Sequence, residues 1–239
     1  KSKKNVVDPE DIIAQYGADT ARWFMLSDSP PERDVEWTAA GAEGAWRFLQ
    51  RLWRLVDEAA DDVAEATDAP ADIGEAALTL RKATHRAIDG VTSDIDDFTF
   101  NKAVARVYEL VNVISKAAAQ ADEPGMAFAR REALRATAQL VNPMTPHFAE
   151  EAWARLGGET LLADVDWPVA DPSLLKDDVV MMPVQVNGKR RGEIAVAVDA
   201  DRGAIEAAAL ADDAVRRFMG DAAPKKVIVV PGRIVNVVI

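Results

Sequence analysis

The sequence predicts a mainly α-helical protein: a helical bundle followed by a small α+β C-terminal module. Three observations predict it. Through most of the chain apolar residues recur at three- and four-residue steps, the period of a buried helix face. Turns bearing Pro and Gly cut this stretch into helices that can pack as antiparallel neighbours. From about residue 182 the period changes to two: Val184 and Val186 alternate into Asn187-Gly188, and Ile194, Val196 and Val198 alternate out. Asn-Gly between alternating apolar runs is the strongest two-residue hairpin signal.

The chain opens on Lys1-Ser2-Lys3-Lys4-Asn5, a basic loop with no apolar residue. Asp8-Pro9-Glu10-Asp11 then starts a helix, with Asp8 as N-cap, Pro9 at the first helical position and acids facing the positive end of the dipole. Gly17 ends it after Tyr16, and Asp19 or Thr20 caps a second helix carrying Trp23, Phe24 and Leu26. Trp46, Leu49, Leu52, Trp53, Val56 and Val63 form the stripe of a long amphipathic helix that ends near Asp68. Leu80, Ala87, Ile88, Val91 and Ile95 mark the next helix, Phe98 to Asn101 a link and cap, and Ala103 to Ile114 a third stripe. After the Glu123-Pro124-Gly125 turn, a helix is expected from Met126 to Val141; Thr145 and Pro146 then start another, which stops at Gly157-Gly158. The tryptophans sit on apolar stripes and are expected in the core. Residues 161–181, with Trp167-Pro168 and Asp171-Pro172, read as a linker. In the tail, one helical stretch from Arg202 to Met219 is expected between the hairpin and a second strand pair, Val227–Val230 and Ile234–Ile239. The expected division is therefore 1–37, 38–160, a linker 161–181, and 182–239.

Composition narrows the function. At 239 residues, with 49% apolar and 28% charged residues, the chain can bury a real core. No apolar run approaches the length of a membrane span, so no membrane partner is expected. With no cysteine, disulfides and thiolate metal sites are excluded, and two histidines far apart in the chain, His85 and His147, argue against a metal site, so no metal is expected. The net charge of −12 argues against a general nucleic-acid binder, but the charge is uneven. Residues 182–239 hold nine Lys/Arg against seven Asp/Glu, a net of +2, so residues 1–181 carry −14. An acidic body with a mildly basic tail permits nucleic-acid contact at the tail.

Several residues could carry chemistry, each beside a plainer reading. The basic loop at Lys1 is suited to clamping phosphate, since ammonium groups neutralise its charge; composition alone favours the plainer reading, a solvated basic stretch. Lys189-Arg190-Arg191, just past the hairpin turn, with Lys225-Lys226 and Arg233 beside the second strand pair, could reach RNA phosphates. They could as well be charges that keep strand edges soluble. Little aromatic interleaving argues against single-strand stacking. Asp19 and Arg22 are spaced to pair on one helix, and His147 with Glu150 and Glu151 reads as structural.

The order of residues adds a resemblance. Lys1-Ser2-Lys3-Lys4-Asn5-Val6-Val7-Asp8-Pro9, then Tyr16-Gly17-Ala18-Asp19-Thr20-Ala21-Arg22, resembles the segment around the end of the KMSKS motif in class I aminoacyl-tRNA synthetases. The Pro143-to-Trp153 helix start resembles the bundle domain of leucyl, valyl and isoleucyl synthetases. Val184-Gln185-Val186-Asn187-Gly188-Lys189-Arg190-Arg191-Gly192-Glu193-Ile194, with Val230-Pro231-Gly232-Arg233-Ile234-Val235-Asn236-Val237-Val238, resembles the C-terminal module of bacterial leucyl-tRNA synthetases. Two positions depart from that pattern: Glu193 stands where the family often has lysine, and Arg190 where it often has a neutral residue.

The resemblance implies a chain beginning inside KMSKS: the end of a catalytic domain over 1–37, an anticodon-binding-type bundle of class Ia over 38–160, and a tRNA-binding module over 182–239. It implies ATP-dependent charging of tRNA-Leu through leucyl-adenylate, with ATP and Mg2+ used by the full-length enzyme and none bound by these residues alone. Lys1 would be catalytic, meeting the ATP phosphates with Ser2. Lys189, Arg190, Arg191, Lys225, Lys226 and Arg233 would contact tRNA, and the protein would be a cytoplasmic monomer. Without the nucleotide-binding fold, the HIGH motif and the editing domain, the 239 residues should not aminoacylate. The competing readings are a valyl- or isoleucyl-type synthetase, and a non-catalytic acidic helical interaction module.

Overall fold

A computed structural model describes residues 8–176, 179–198, 200–220 and 222–239. The chain divides into two compact units, Lys1–Leu175 and Lys176–Ile239.

The first unit is helical. α1 (Pro9–Tyr16) and α2 (Ala18–Asp28) precede the long α3 (Ala39–Val63), α4 (Glu75–Asp96), α5 (Phe100–Ala117), α6 (Met126–Val141) and α7 (Pro146–Arg155). One continuous core runs through them, with Leu52, Leu80, Leu110, Ile114, Leu134 and Leu140 each almost fully buried. α2 shares that core: Trp23 is fully buried, stacks on Phe48 at 5.0 Å between ring centroids and donates its indole N–H to the Tyr108 hydroxyl at 3.2 Å. Burial pushes the Tyr108 hydroxyl up from its ordinary pKa, against the opposing hydrogen bond from Trp23.

α3 starts seven residues before Trp46 and ends with the stripe at Val63, short of the end expected near Asp68. Thr38 caps it, its hydroxyl accepting from the Gly41 N–H at 3.2 Å. The added first turns bury Ala42 and Ala45, methyl groups too small to register in an apolar stripe. Trp46, expected in the core, is 41% exposed.

Residues 161–175 are laid along the bundle. Glu150 on α7 accepts from the Leu162 and Ala163 N–H groups at 2.7 and 3.0 Å, holding a short 3-10 turn. The Trp167 indole donates to Thr92 Oγ1 at 2.8 Å, and the Asp171 N–H donates to His85 Nδ1 at 2.9 Å. Leu162 and Leu174 are buried.

The second unit is an α+β module. β1 (Val179–Val186) and β2 (Lys189–Ala197) form the expected hairpin, and β3 (Lys226–Val230) and β4 (Ile234–Val238) the second strand pair. The two join into one sheet of order β2-β1-β4-β3 through parallel pairing of Val184–Val186 with Val235–Val237. Asn187 and Gly188 both adopt positive φ, 48° and 79°, as a type I′ turn requires. The sheet's core face, with Met182, Val184, Ile194, Val235 and Val237, packs on Ile205, Ala209 and Val215. Its opposite face leaves Met181, Ile228 and Val230 exposed.

The single helix expected over 202–219 is two: α8 (Arg202–Ala211) and α9 (Asp213–Met219). Asp212 is the break, its carboxylate accepting from the Val215 N–H at 2.9 Å as the N-cap of α9. β2 runs close beneath this cap, because a Cβ on Gly192 would sit 2.5 Å from Asp212 Oδ1.

Candidate nucleic-acid interface

Lys1 and Ser2, the residues expected to meet ATP phosphates, lie outside the described residues. Among the described residues no three His, Asp or Glu side chains are grouped to hold a metal ion. None of the described helices is long and apolar enough to cross a membrane.

Asp19 and Arg22, spaced to pair with each other, instead reach the α6–α7 turn together. Asp19 accepts from His147 Nδ1 at 2.9 Å and from the Phe148 backbone N–H at 2.6 Å. Arg22 donates from Nε to the Met144 carbonyl at 2.9 Å and from Nη2 to the Pro143 carbonyl at 2.7 Å. The carboxylate thus meets one backbone amide and one imidazole nitrogen at the start of α7, and the guanidinium meets carbonyls just before it. This is the polar lock of α2 on the bundle, and His147 belongs to it.

A second polar cluster lies inside the bundle. Arg81 grips Glu132 with two bonds, at 2.8 and 3.1 Å, and His85 Nε2 stands 3.2 Å from the same carboxylate. His85 Nδ1 accepts from Asp171, so its Nε2 carries the proton shared with Glu132. Burial pushes the Glu132 carboxyl up, but the bonds from His85 and Arg81 outweigh it and hold the group below the usual range.

The tail cations are arranged by strand register. β2 begins where β1 ends, Lys226 pairs with Val238, and Val186 pairs with Val237. The start of β2, the start of β3 and the end of β4 therefore share one end of the sheet. Lys189, Arg190, Arg191, Lys225 and Lys226 converge there, on outer strands three spacings apart, about 14 Å. The Asn187-Gly188 turn is fixed at the same end: Ile239 donates its N–H to Asn187 Oδ1 at 3.1 Å, and Gly188 donates to Asn236 Oδ1 at 3.1 Å. Arg233 belongs to the opposite end, in the turn joining β3 to β4.

α9 brings two cations that the sequence reading passed over. Arg216 and Arg217 occupy its last turn, and both are exposed. Their only signal in the sequence is a dibasic pair inside an alanine-rich stretch, which reads as an ordinary solvated helix face. Arg191 reaches α9, its guanidinium 3.9 Å from the Phe218 ring centroid. Arg190 turns to the other face and pairs with Glu193 at 2.8 Å. The two departures from the family pattern are thus partners, and the pair keeps Arg190's charge from standing alone. Among the described residues no carboxylate is paired with Lys189, Arg191, Arg216, Arg217, Lys225 or Lys226.

Residues 78–207 match the family described as the anticodon-binding domain of tRNA ligase, and residues 1–38 match class I tRNA synthetases (I, L, M and V). The chain belongs to the first of these families, whose match covers more than half of it.

Its relatives are more particular. The chain is 57% identical over 240 residues to the leucine–tRNA ligase of Parvibaculum lavamentivorans, covering all of this chain and 27% of that protein. It is 57% identical over 241 residues to that of Cereibacter sphaeroides, again covering 27% of the relative. The chain thus spans about a quarter of the length of the curated relatives it matches. Among solved structures, a ternary LeuRS–tRNA–LeuAMS complex from Agrobacterium radiobacter K84 aligns with a TM-score of 0.82 at 28% identity, over all of this chain and 31% of that one. Methionyl-tRNA synthetase of Mycobacterium tuberculosis shares the fold over 62% of this chain and 33% of its own, with a TM-score of 0.54 at 19% identity.

Proposed function

We propose that the chain is the tRNA-docking part of a leucine–tRNA ligase, and that the basic end of its tail sheet is the surface that meets tRNA-Leu. Likeness to leucine–tRNA ligases along the entire chain supports the ligase part of the reading. The observation that carries the docking part is the convergence of Lys189, Arg191, Lys225 and Lys226 with Arg216 and Arg217 at one sheet end, in a protein whose net charge is −12. Cations held apart on a rigid sheet can neutralise several phosphates at once and so position a folded RNA by its backbone.

In this reading the parent enzyme joins leucine to ATP as an adenylate and passes the leucyl group to tRNA, in the cytoplasm and as a monomer. Lys1, with Ser2 beside it, would meet the ATP phosphates and neutralise charge on departing pyrophosphate. Leucine, and ATP with its Mg2+, would be held mainly by parts of such a ligase outside these 239 residues. Arg233 is dropped from the docking surface, and Arg190 is muted by Glu193.

The test is binding of the 239-residue chain to tRNA-Leu and to a tRNA with a short variable arm, at several salt concentrations. Affinity should fall steeply with salt, and the K189A/R191A/R216A/R217A variant should lose at least tenfold with a shallower salt dependence. R233A should bind like the unaltered chain. Salt-insensitive binding, or a quadruple variant that binds as tightly as its parent, would remove the sheet end from the interface.

A further inference from the structure

We infer that Phe218 is a stacking platform for an unpaired nucleobase of the docked RNA. The inference rests on the docking reading above and adds to it a contact that charge alone does not supply.

Phe218 is the sole aromatic residue of the second unit. In a module this small, the one large apolar ring would ordinarily fill the core. Here the core is closed by aliphatic side chains, with Val215 as the buried residue of α9, while Phe218 is 52% exposed. The ring stands in the last turn of α9, next in sequence to Arg216 and Arg217, and meets the start of β2 through Arg191. Arg191 already covers one face at 3.9 Å. With that guanidinium in place the ring is still about half exposed and is not among the side chains packed on the module's core. A cation–π contact together with that exposure leaves ring surface for a flat partner, completing a stack of Arg191, Phe218 and base. Every base has such a face, so the contact tolerates any sequence. It requires only that the base be unpaired or terminal, as in the loops of folded RNA. The sequence reading set stacking aside because aromatics are not interleaved with the tail's cations along the chain. Folding supplies the interleaving from a different element.

The experiment compares the full chain with Phe218→Leu, Phe218→Ala and Phe218→Trp. Each is titrated against tRNA-Leu, and against a blunt RNA duplex of matched length, over a series of salt concentrations. Phe218→Leu keeps apolar bulk and Phe218→Trp keeps a π face. The leucine and alanine variants should bind tRNA-Leu about 5- to 140-fold more weakly than the parent, the range for one lost base stack. The tryptophan variant should stay within about threefold. The salt slope should not change, since no phosphate contact is lost, and duplex binding should be equal across the series. Thermal melts should show the same unfolding midpoint for Phe218→Leu and the parent. Phe218→Leu binding tRNA-Leu as tightly as the parent would overturn the inference while leaving docking intact. So would an equal loss on duplex with a shallower slope, which would mean that the ring only positions Arg191. A parent chain with no salt-dependent affinity for tRNA-Leu would instead overturn the docking reading, and the stack with it.

Discussion

Single side chains set the tightest joints of this molecule, and few of them are ones a motif search would select. Asp19 satisfies two donors at the start of α7 from another helix, where an N-cap side chain would usually come from the residue just before the helix. Thr145, the expected cap, instead gives its hydroxyl to the Val141 carbonyl. Asp19→Ala should therefore lower stability by about 1–2 kcal/mol, seen as a fall of several degrees in the melting midpoint. His147→Ala should cost much less, since that side chain is 80% exposed. Glu132 gives a pH test. Its carboxyl titrates lower in the fold than in the unfolded chain, so it stabilises the fold above the unfolded value of about 4.3 and loses that contribution as pH falls through the folded one. Glu132→Gln should cost about 1–3 kcal/mol at pH 7, and its deficit against the parent should shrink in denaturant titrations below about pH 4. A deficit unchanged at pH 3 would mean that the carboxylate's charge is not what matters. At the tail, Glu193→Ala should release Arg190, raising affinity for tRNA-Leu a few-fold and steepening the log–log salt slope by about 0.9.

At the scale of elements, the informative places are where helices begin and break. α6 and the strands of the tail lie close to where residue periodicity puts them, because a period of 3.6 or 2 is written in which side chains are apolar. The start of α3 and the gap between α8 and α9 were not legible in the same way. Alanine is as good a helix former as any, but its methyl group carries almost no pattern, so turns of alanine and glycine hide a helix start. In Ala211-Asp212-Asp213 the first aspartate could as easily have sat on a solvated helix face. It became a cap because β2 passes beneath it at a glycine. Gly192→Ala should force its new methyl onto Asp212 and loosen the α9 cap, lowering the stability of the module by about 1–3 kcal/mol. Asp212→Ala removes the cap and also the group in the way, so the double variant should be less destabilised than the two single costs added together. Additive losses in denaturant melts would mean that the close approach is not the cause.

For the whole molecule, charge is the property that sequence and structure treat differently. A net charge of −12 keeps most of the surface away from polyanions, and a salt-dependent RNA contact then has to be local. What locality requires is a sheet topology that places the start of β2 and the start of β3 at one end, with the last turn of α9 brought to β2 by the Arg191–Phe218 contact. Parallel pairing of β1 with β4 does this; antiparallel pairing of the same two strands would put the start of β2 and the start of β3 at opposite ends. The order of residues was enough to determine the bundle, the hairpin with its Asn-Gly turn, the break to a two-residue period, the family, and most of the candidate cations. Each of these depends on neighbours in the chain, or on a local pattern that any fold of this kind must keep. Only the tertiary structure decided that Asp19 and Arg22 part to hold the α6–α7 turn, that Arg233 lies apart from the other cations, that Glu193 answers Arg190, and that Phe218 joins Arg191. Those are contacts between residues far apart in the chain or divided by a turn or a strand bulge. Side-chain direction there is set by register and packing, which no local periodicity records.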